Sequence, residues 1–481
     1  MWRDEALSVA IARLPAGDFV RFVSGYEPFM SVYILLLRGW LCLGQTEFTV
    51  RLLSVVFAVA AVVAAYVLGR ILFDERIGLV AALMLGINGF SIQYAQEARA
   101  YTLVSLAVVG SWIALLIVAE RPRRVALVYY ILTTALLGYC NIIAMATLPA
   151  QWIGLIFLRP SREVIRSLIA STGIIAVLVA PVVISIHLAG AGQGAWIQRP
   201  DFGALGRLAE RFLNLPAAAA PSGASAAQSR LELYSQAAFA LAFILLASFG
   251  AVKAFLRSDR RRLLGYACAG LGAIVPIVLL FAVSLLKPLF VARYMFFCLP
   301  FFVLLMAAGV FELRRSALVA TALMGLVALN LWADWRYYKN PYKPDWRNAI
   351  AYFSSKVRHG DALALVEAFS RWPFDYNFAR FGDPRARFTV IFPGWDRLFR
   401  VDGQYPNSAT MMRPNPALMS ALAASYPRLW VISEDPKPKE DSVFRELSKE
   451  YQYCYRSSFR RISITLYAKD IVKDSGAPCR Q

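Results

Sequence analysis

Three stretches of this 481-residue chain gather side chains that could move a proton or hold an anion. Near the start stands Trp2-Arg3-Asp4-Glu5-Ala6. Two adjacent carboxylates at a membrane surface can supply a general base for an attacking hydroxyl. The structural alternative is that Asp4 caps a helix and Glu5 favours its positive end. Further on, Tyr94, Gln96, Glu97 and Arg99 crowd a turn between two apolar blocks, where a bare linker would suffice. Polar groups at bilayer depth are costly and generally face a cavity or a partner, although Glu97 and Arg99 could also pair simply to anchor the turn. The third stretch runs from Lys287 through Arg293-Tyr294. Its planar fork of donors, its point charge and its phenol suit a phosphate; snorkelling to the interface is the alternative for both cations. A weaker fourth signal is Gly25-Tyr26-Glu27-Pro28. There Glu27 could hold a metal or a sugar hydroxyl, or Pro28 could merely open an interfacial helix.

These groups need a scaffold, and the composition says which kind. The chain is 58% hydrophobic and 17% charged, well short of the roughly one quarter charged residues of an ordinary soluble domain. Its apolar residues fall in blocks of about twenty, the length that crosses a bilayer core. Ten membrane segments are read at 52–73, 77–93, 101–119, 125–140, 141–158, 167–188, 233–256, 263–285, 294–312 and 316–333. The net charge of +20 lies largely in alternate short loops, around Arg70, Arg121, Arg159, Arg260 and Arg314. That distribution reports orientation rather than nucleic-acid binding and marks those loops as cytoplasmic.

The expected organisation is therefore an outward-facing first loop with interfacial helices (1–51), a transmembrane bundle (52–334) with an outward loop at 189–232, and an outward tail (335–481). A helix over 345–358, strands at Ala362–Val366 and Leu429–Ser433, and alternation around Tyr451–Tyr455 and Ile462–Tyr467 make the tail a small α/β domain. Cys42, Cys140, Cys268 and Cys298 sit in or beside apolar stretches as small hydrophobes. Cys454 and Cys479 could pair if the tail faces an oxidising compartment.

The clusters, in this order, resemble the GT-C glycosyltransferases that use polyprenyl-phosphate sugars. That group contains protein O-mannosyltransferases, aminoarabinose transferases of lipid A, and a bacterial branch with rhizobial lipopolysaccharide galacturonosyltransferases. The resemblance rests on WRDEA at 2–6, LLLRGWLCLG at 35–44, EFTVRLLSVVFAV at 47–59, YAQEARAY at 94–101, KPLFVARYMFFCLP at 287–300 and KPDWRNAIAYF at 343–353. It implies an α-helical polytopic membrane protein of GT-C type with an extracytoplasmic α/β domain, sited in a bacterial inner membrane. It implies Asp4, with Glu5 beside it, as catalytic base; Tyr94, Gln96, Glu97 and Arg99 as cavity lining; and Arg293 and Tyr294, with Lys287 nearby, on the carrier phosphate. The implied partners are a polyprenyl-phosphate sugar donor, a lipid or protein acceptor and membrane lipids, with no nucleic acid.

The pattern also departs from the family. Tyr26-Glu27-Pro28-Phe29 stands where many relatives have His-Pro-Pro, and Tyr139-Cys140-Asn141 where many have Tyr-Thr-His. With only two histidines in the chain, a histidine-based metal site is not expected. A divalent metal held by oxygen ligands such as Glu27 stays open.

The resemblance implies inverting transfer of a sugar to an extracytoplasmic acceptor. A lipid-linked sugar transporter or flippase would instead place ionisable groups at mid-membrane on broken, repeated helices. An inactive envelope scaffold would have no need of Asp4-Glu5 and Arg293-Tyr294 together. An outward first loop also requires a helix before it, as in relatives. An in-frame apolar block of about twenty residues is therefore expected immediately upstream in the genome, and a polar upstream sequence would refute that expectation.

Overall fold

The computed structural model describes residues 1–25, 28–189, 197–214, 245, 248–313, 315–341, 343–392, 423–434 and 441–469. They form two compact units, one of Val20–Gly190 with Ile197–Asn340 and one of Met1–Phe19 with Pro341–Gln481. In chain order the first helices are α1 (Arg3–Ala12), α2 (Ala16–Gly25), α3 (Ser31–Trp40), α4 (Glu47–Leu72), α5 (Glu75–Gly86), α6 (Gly89–Ala95), α7 (Tyr101–Glu120) and α8 (Arg124–Cys140). They are followed by α9 (Thr147–Leu158), α10 (Arg162–Ala189), α11 (Gly203–Phe212), α12 (Arg260–Leu286), α13 (Leu299–Val310), α14 (Ser316–Lys339), α15 (Trp346–Lys356), α16 (Arg371–Phe381) and α17 (Asp441–Glu450).

The first unit is helical because a bilayer offers the backbone no other partner than itself. Among the described residues, six helical stretches are long and apolar enough to cross a membrane, and eight if each of two bent pairs counts as one span. Six of the ten expected segments therefore appear as full-length spans. The expected span 77–93 is instead two helices, α5 and α6, bent by 60°. The break follows from Asn88, whose Oδ1 accepts from the N–H groups of Phe90 and Ser91 at 3.0 and 3.3 Å and starts a new helix. The expected spans 125–140 and 141–158 are shorter helices, α8 and α9, with a 3-10 turn over Ile142–Ala146 between them. The segment 233–256 lies largely outside the described residues.

Several buried polar side chains inside this unit bond to one another. Trp112 donates its indole N–H to Thr147 Oγ1 at 3.0 Å, and Gln151 joins Tyr130 to Ser111. The 27-residue α12 spans about 40 Å at 1.5 Å per residue, and its two ends differ in chemistry. At the Arg260 end, Glu312 accepts from Lys253, from Arg262 at 2.8 Å and from the Tyr266 hydroxyl at 3.3 Å. The other end leads into Lys287 and, beyond it, Arg293.

Helices α4 and α5 cross at Gly69 and Gly78, so closely that a Cβ on Gly69 would lie 2.6 Å from Gly78 Cα. Small residues at a crossing let two membrane helices approach in this way.

The second unit carries a five-stranded sheet of β1 (Asp361–Leu365), β2 (Phe388–Phe392), β3 (Arg428–Glu434), β4 (Gln452–Phe459) and β5 (Ile462–Ala468). The strand order is β2-β1-β3-β5-β4, with β1 parallel to β2 and β3, and β5 antiparallel to β3 and β4. Helices α15 and α16 cover one face through Trp346, Ile350, Phe353 and Phe374 against Leu363, Trp430 and Ile464. Ala423, Leu447 and Tyr451 cover the other. The expected helix and four strands are all present; α16, α17 and β2 are additional. Cys454 on β4 is disulfide-bonded, Cys140, Cys268 and Cys298 are buried free thiols, Cys42 is exposed, and Cys479 lies outside the described residues.

A valine at position 78 would drive its Cβ to 2.6 Å from the Tyr66 carbonyl oxygen and force α4 and α5 apart. Gly78→Val is expected to destabilise the folded protein by about 1–3 kcal/mol, the usual cost of overpacking. The check is the thermal unfolding midpoint in detergent, which should fall below that of the wild type.

Candidate functional site

Each unit contributes part of the chemistry singled out in the sequence. In the sheet-bearing unit, α1 begins with Trp2 in an extended conformation and no side-chain cap. Asp4 is therefore not the cap the structural alternative required, although Asp4 and Glu5 both lie in the first turn, where the helix dipole favours them. Asp4 is 7% exposed and Glu5 is fully buried. Arg3 Nε stands 3.3 Å from Asp4 Oδ1, and the Ser8 hydroxyl donates to the Asp4 carbonyl at 3.1 Å.

In the helical unit, the motif 94–101 is built around the break between α5 and α6. Asn88 caps α6 and also donates from Nδ2 to the Phe212 carbonyl at 2.9 Å, which ties α6 to α11. Tyr94 is buried among the rings of Phe90, Tyr101 and Phe296, with centroids 4.9, 4.6 and 5.3 Å away. After α6 the chain turns tightly, the Arg99 N–H donating to the Glu97 carbonyl at 2.7 Å. Gln96 bonds the Tyr338 hydroxyl at the end of α14, and Arg99 Nη1 reaches Met30 Sδ at 3.1 Å. Glu97 is only 3% exposed.

Phe296 belongs to the 3-10 helix Ala292–Cys298, so its contact with Tyr94 also brings the third motif to this place. Tyr94 lies within electrostatic reach of both Glu97 and Arg293. Arg293 lies over the ring of Tyr294 at 5.7 Å. The structure thus unites Tyr94, Glu97, Arg293 and Tyr294, which are about two hundred positions apart in the chain. Lys287 is exposed where α12 ends and has no ion-pair partner among the described residues. Glu27 lies outside the described residues.

One cation at this site escaped the sequence reading. Arg211, in the last turn of α11, lies over the Phe90 ring at 5.6 Å and within electrostatic reach of Tyr94. The stretch 189–232 reads as an Ala/Gly/Pro/Ser-rich loop, yet Leu205, Leu208 and Phe212 recur at helical spacing and signal an amphipathic helix with Arg207 and Arg211 on it. Asn214, just past α11, donates to the carbonyl and side-chain oxygens of Asn330 at 3.3 and 3.1 Å. Its own Oδ1 and that of Asp334 crowd Gly89 so closely that a Cβ there would lie 2.4 and 2.7 Å from them. Helices α6, α11 and α14 are thereby locked together beneath the motif.

Among the described residues no group of three or more His, Cys, Asp or Glu side chains converges in a way that could hold a metal ion. What the site offers is two arginines, buried and half-buried phenols and a buried carboxylate over an aromatic floor. That set suits an anion attached to an apolar chain.

Comparison with known proteins gives the architecture a name. Residues 27–187 match the family model described as dolichyl-phosphate-mannose-protein mannosyltransferase. No curated protein sequence matches the chain significantly. The apo crystal structure of ArnT from Cupriavidus metallidurans superposes with a TM-score of 0.60 at 11% identity, covering 96% of this chain and 92% of that one. The fold is that of the GT-C glycosyltransferases. The same ArnT bound to undecaprenyl phosphate gives a TM-score of 0.52 at 12% identity, with 96% of both chains covered. The apo oligosaccharyltransferase of Archaeoglobus fulgidus gives 0.53 at 12% identity, covering 98% of this chain and 71% of that one. At these identities the likeness is one of GT-C fold, and the activity must be argued from the side chains.

Loss of the α6 cap offers a direct check on the site's construction. Asn88→Ala is expected to destabilise α6 by about 1 kcal/mol. Hydrogen–deuterium exchange should then quicken at the amides of 89–99 and leave those of α12 unchanged.

Proposed function

We propose that the chain is a membrane glycosyltransferase that moves a sugar from a polyprenyl-phosphate carrier to a hydroxyl of an extracytoplasmic acceptor, a lipid A or other glycolipid, or a protein. The observation that carries this reading is the aromatic cluster about Tyr94 in a GT-C fold, which joins Phe90, with Arg211 over its ring, to Phe296 of the 3-10 helix that carries Arg293. Two guanidinium groups over an aromatic floor can match the charge that develops on a phosphate leaving group, and the apolar surroundings strengthen that match. Tyr294 adds a phenol at the same place, and Lys287 a further exposed cation. The disulfide at Cys454 is in keeping with an oxidising compartment for the α/β unit.

In the proposed reaction the acceptor oxygen attacks the anomeric carbon as the bond from that carbon to the phosphate oxygen breaks. The electron pair leaves with the phosphate, which the arginines hold, and Asp4 takes the acceptor's proton. Glu5, fully buried beside it, has the role of shaping the pocket of the base rather than of accepting a proton itself. Gln96, Glu97 and Arg99 line the sugar's place. A single displacement inverts the anomeric centre, and a metal has no assigned step.

Two measurements test this. NMR of the product should show the anomeric configuration opposite to that of the donor, and retention would exclude a single displacement. Purified protein in detergent should bind undecaprenyl phosphate. Arg293→Gln and Arg211→Gln should each weaken that binding by about tenfold or more, the scale of one lost hydrogen bond to a charged group. Unchanged affinity in both would remove the phosphate from this site.

A further inference from the structure

A buried acid that the proposed reaction does not use stands in the α/β unit. Glu367, 6% exposed, follows β1 and is bonded on several sides. Its Oε1 accepts from the Ser433 hydroxyl at 3.0 Å and its Oε2 from the Glu434 backbone N–H at 3.1 Å, both at the end of β3. Ser370 donates its backbone N–H to the Glu367 carbonyl at 3.0 Å and its hydroxyl to Oε2 at 3.4 Å. Burying a carboxylate is costly, and apolar residues would hold β1 to β3 as well. What the carboxylate adds is a fixed course for the short 3-10 turn Ala368–Ser370.

At the centre of that turn is Phe369, and over its ring, 4.4 Å from the centroid, lies the guanidinium of Arg3. Arg3 is the residue whose Nε stands 3.3 Å from Asp4 Oδ1. A second tie acts one step earlier in the chain. Asn377 on α16, fully buried, donates from Nδ2 to the Met1 carbonyl at 3.0 Å and accepts from the Met1 nitrogen at 3.1 Å. A third is Lys343, over the Trp2 ring at 5.6 Å. The three residues before Asp4 are thus each seized by a different side chain of the α/β unit, and α1 packs along α16 behind them.

We infer that Glu367 and Phe369 are positioning residues for Asp4, acting through Arg3, so that the α/β unit sets the aim of the base. The inference rests on the proposed role of Asp4. The turn bolted by Glu367 fixes the ring, the ring fixes the plane of the Arg3 guanidinium, and the guanidinium fixes the carboxylate. A cation over an aromatic face is held in direction as well as in distance, which a surface ion pair alone does not achieve. It also gives the α/β unit a part in the reaction.

The test uses the full chain in three variants, Phe369→Ala, Phe369→Tyr and Asp4→Asn, each expressed in a strain lacking the gene. Transfer is read as the rate at which the missing envelope glycan returns, by mass spectrometry. Binding of undecaprenyl phosphate is read on the purified proteins. Phe369→Ala is expected to slow transfer by about ten- to hundredfold, the scale of a misaimed catalytic group, with carrier affinity unchanged. Phe369→Tyr, which keeps the ring, should restore the rate. If Phe369→Ala transfers at the wild-type rate while Asp4→Asn is inactive, the positioning role is wrong and the base stands. Equal losses in the Ala and Tyr variants would also overturn it, since the ring face would then not be what matters. If Asp4→Asn is itself active, the assignment of the base fails, and this inference with it.

Discussion

A hydrocarbon interior tolerates no unpaired polar backbone, and that constraint arranges nearly everything else in this molecule. It makes the first unit helical and pairs Gln151 and Trp112 with neighbours inside it, and a break in a helix calls for side chains to satisfy the freed backbone. The break at Asn88 is such a place. The 60° bend between α5 and α6 frees amides that the Asn88 side chain takes up, and the motif 94–101 hangs from the result. Polar and charged side chains gather there because there the helices are allowed to stop.

The same constraint explains why the site has an aromatic floor. Phe90, Tyr94, Phe296 and Phe212 interlock by edge-on and tilted contacts and exclude water from beneath the charged groups. A cation above such a surface interacts more strongly with an anion than it would in water. Arg211 lies over Phe90 and Arg293 over Tyr294, so each cation rests on an aromatic ring. The carboxylate proposed as the base is held on other principles. Asp4 lies in a sheet-bearing unit, at the start of a helix whose first residues are clasped by side chains of that unit.

Much of this was legible in the sequence, for physical reasons. Apolar blocks of membrane length can hardly be anything but helices, and the alternation around Tyr451–Tyr455 and Ile462–Tyr467 marks β4 and β5 as strands. Where reading failed, two signals competed. The block 77–93 is apolar from Ile77 to Ile87 and again at Phe90 and Ile92, so its length conceals the cap at Asn88. Helix α16 begins Arg-Trp-Pro-Phe, where Pro373 resembles a breaker but sits harmlessly in the first turn. Strand β2 is a five-residue strand between basic residues and an apolar-proline segment, too brief to stand out. At the site, the motif residues stand out by type, whereas Arg211 is signalled only by the helical spacing of Leu205, Leu208 and Phe212, which the run of small residues after α11 outweighs. Nor could the clasp on Arg3 be read, since Phe369 lies hundreds of positions away and looks like any other aromatic residue.

The central claim is that this chain places a sugar on an acceptor by drawing on a polyprenyl-phosphate carrier held at Arg293. Mass spectrometry of envelope glycans and glycolipids tests it most directly, comparing wild type, a deletion strain, and the deletion complemented with wild-type or Arg293→Gln protein. The account predicts that one sugar disappears in the deletion, returns with the wild-type gene and stays absent with well-expressed Arg293→Gln. An unchanged glycan profile in the deletion, or full restoration by Arg293→Gln, would contradict it.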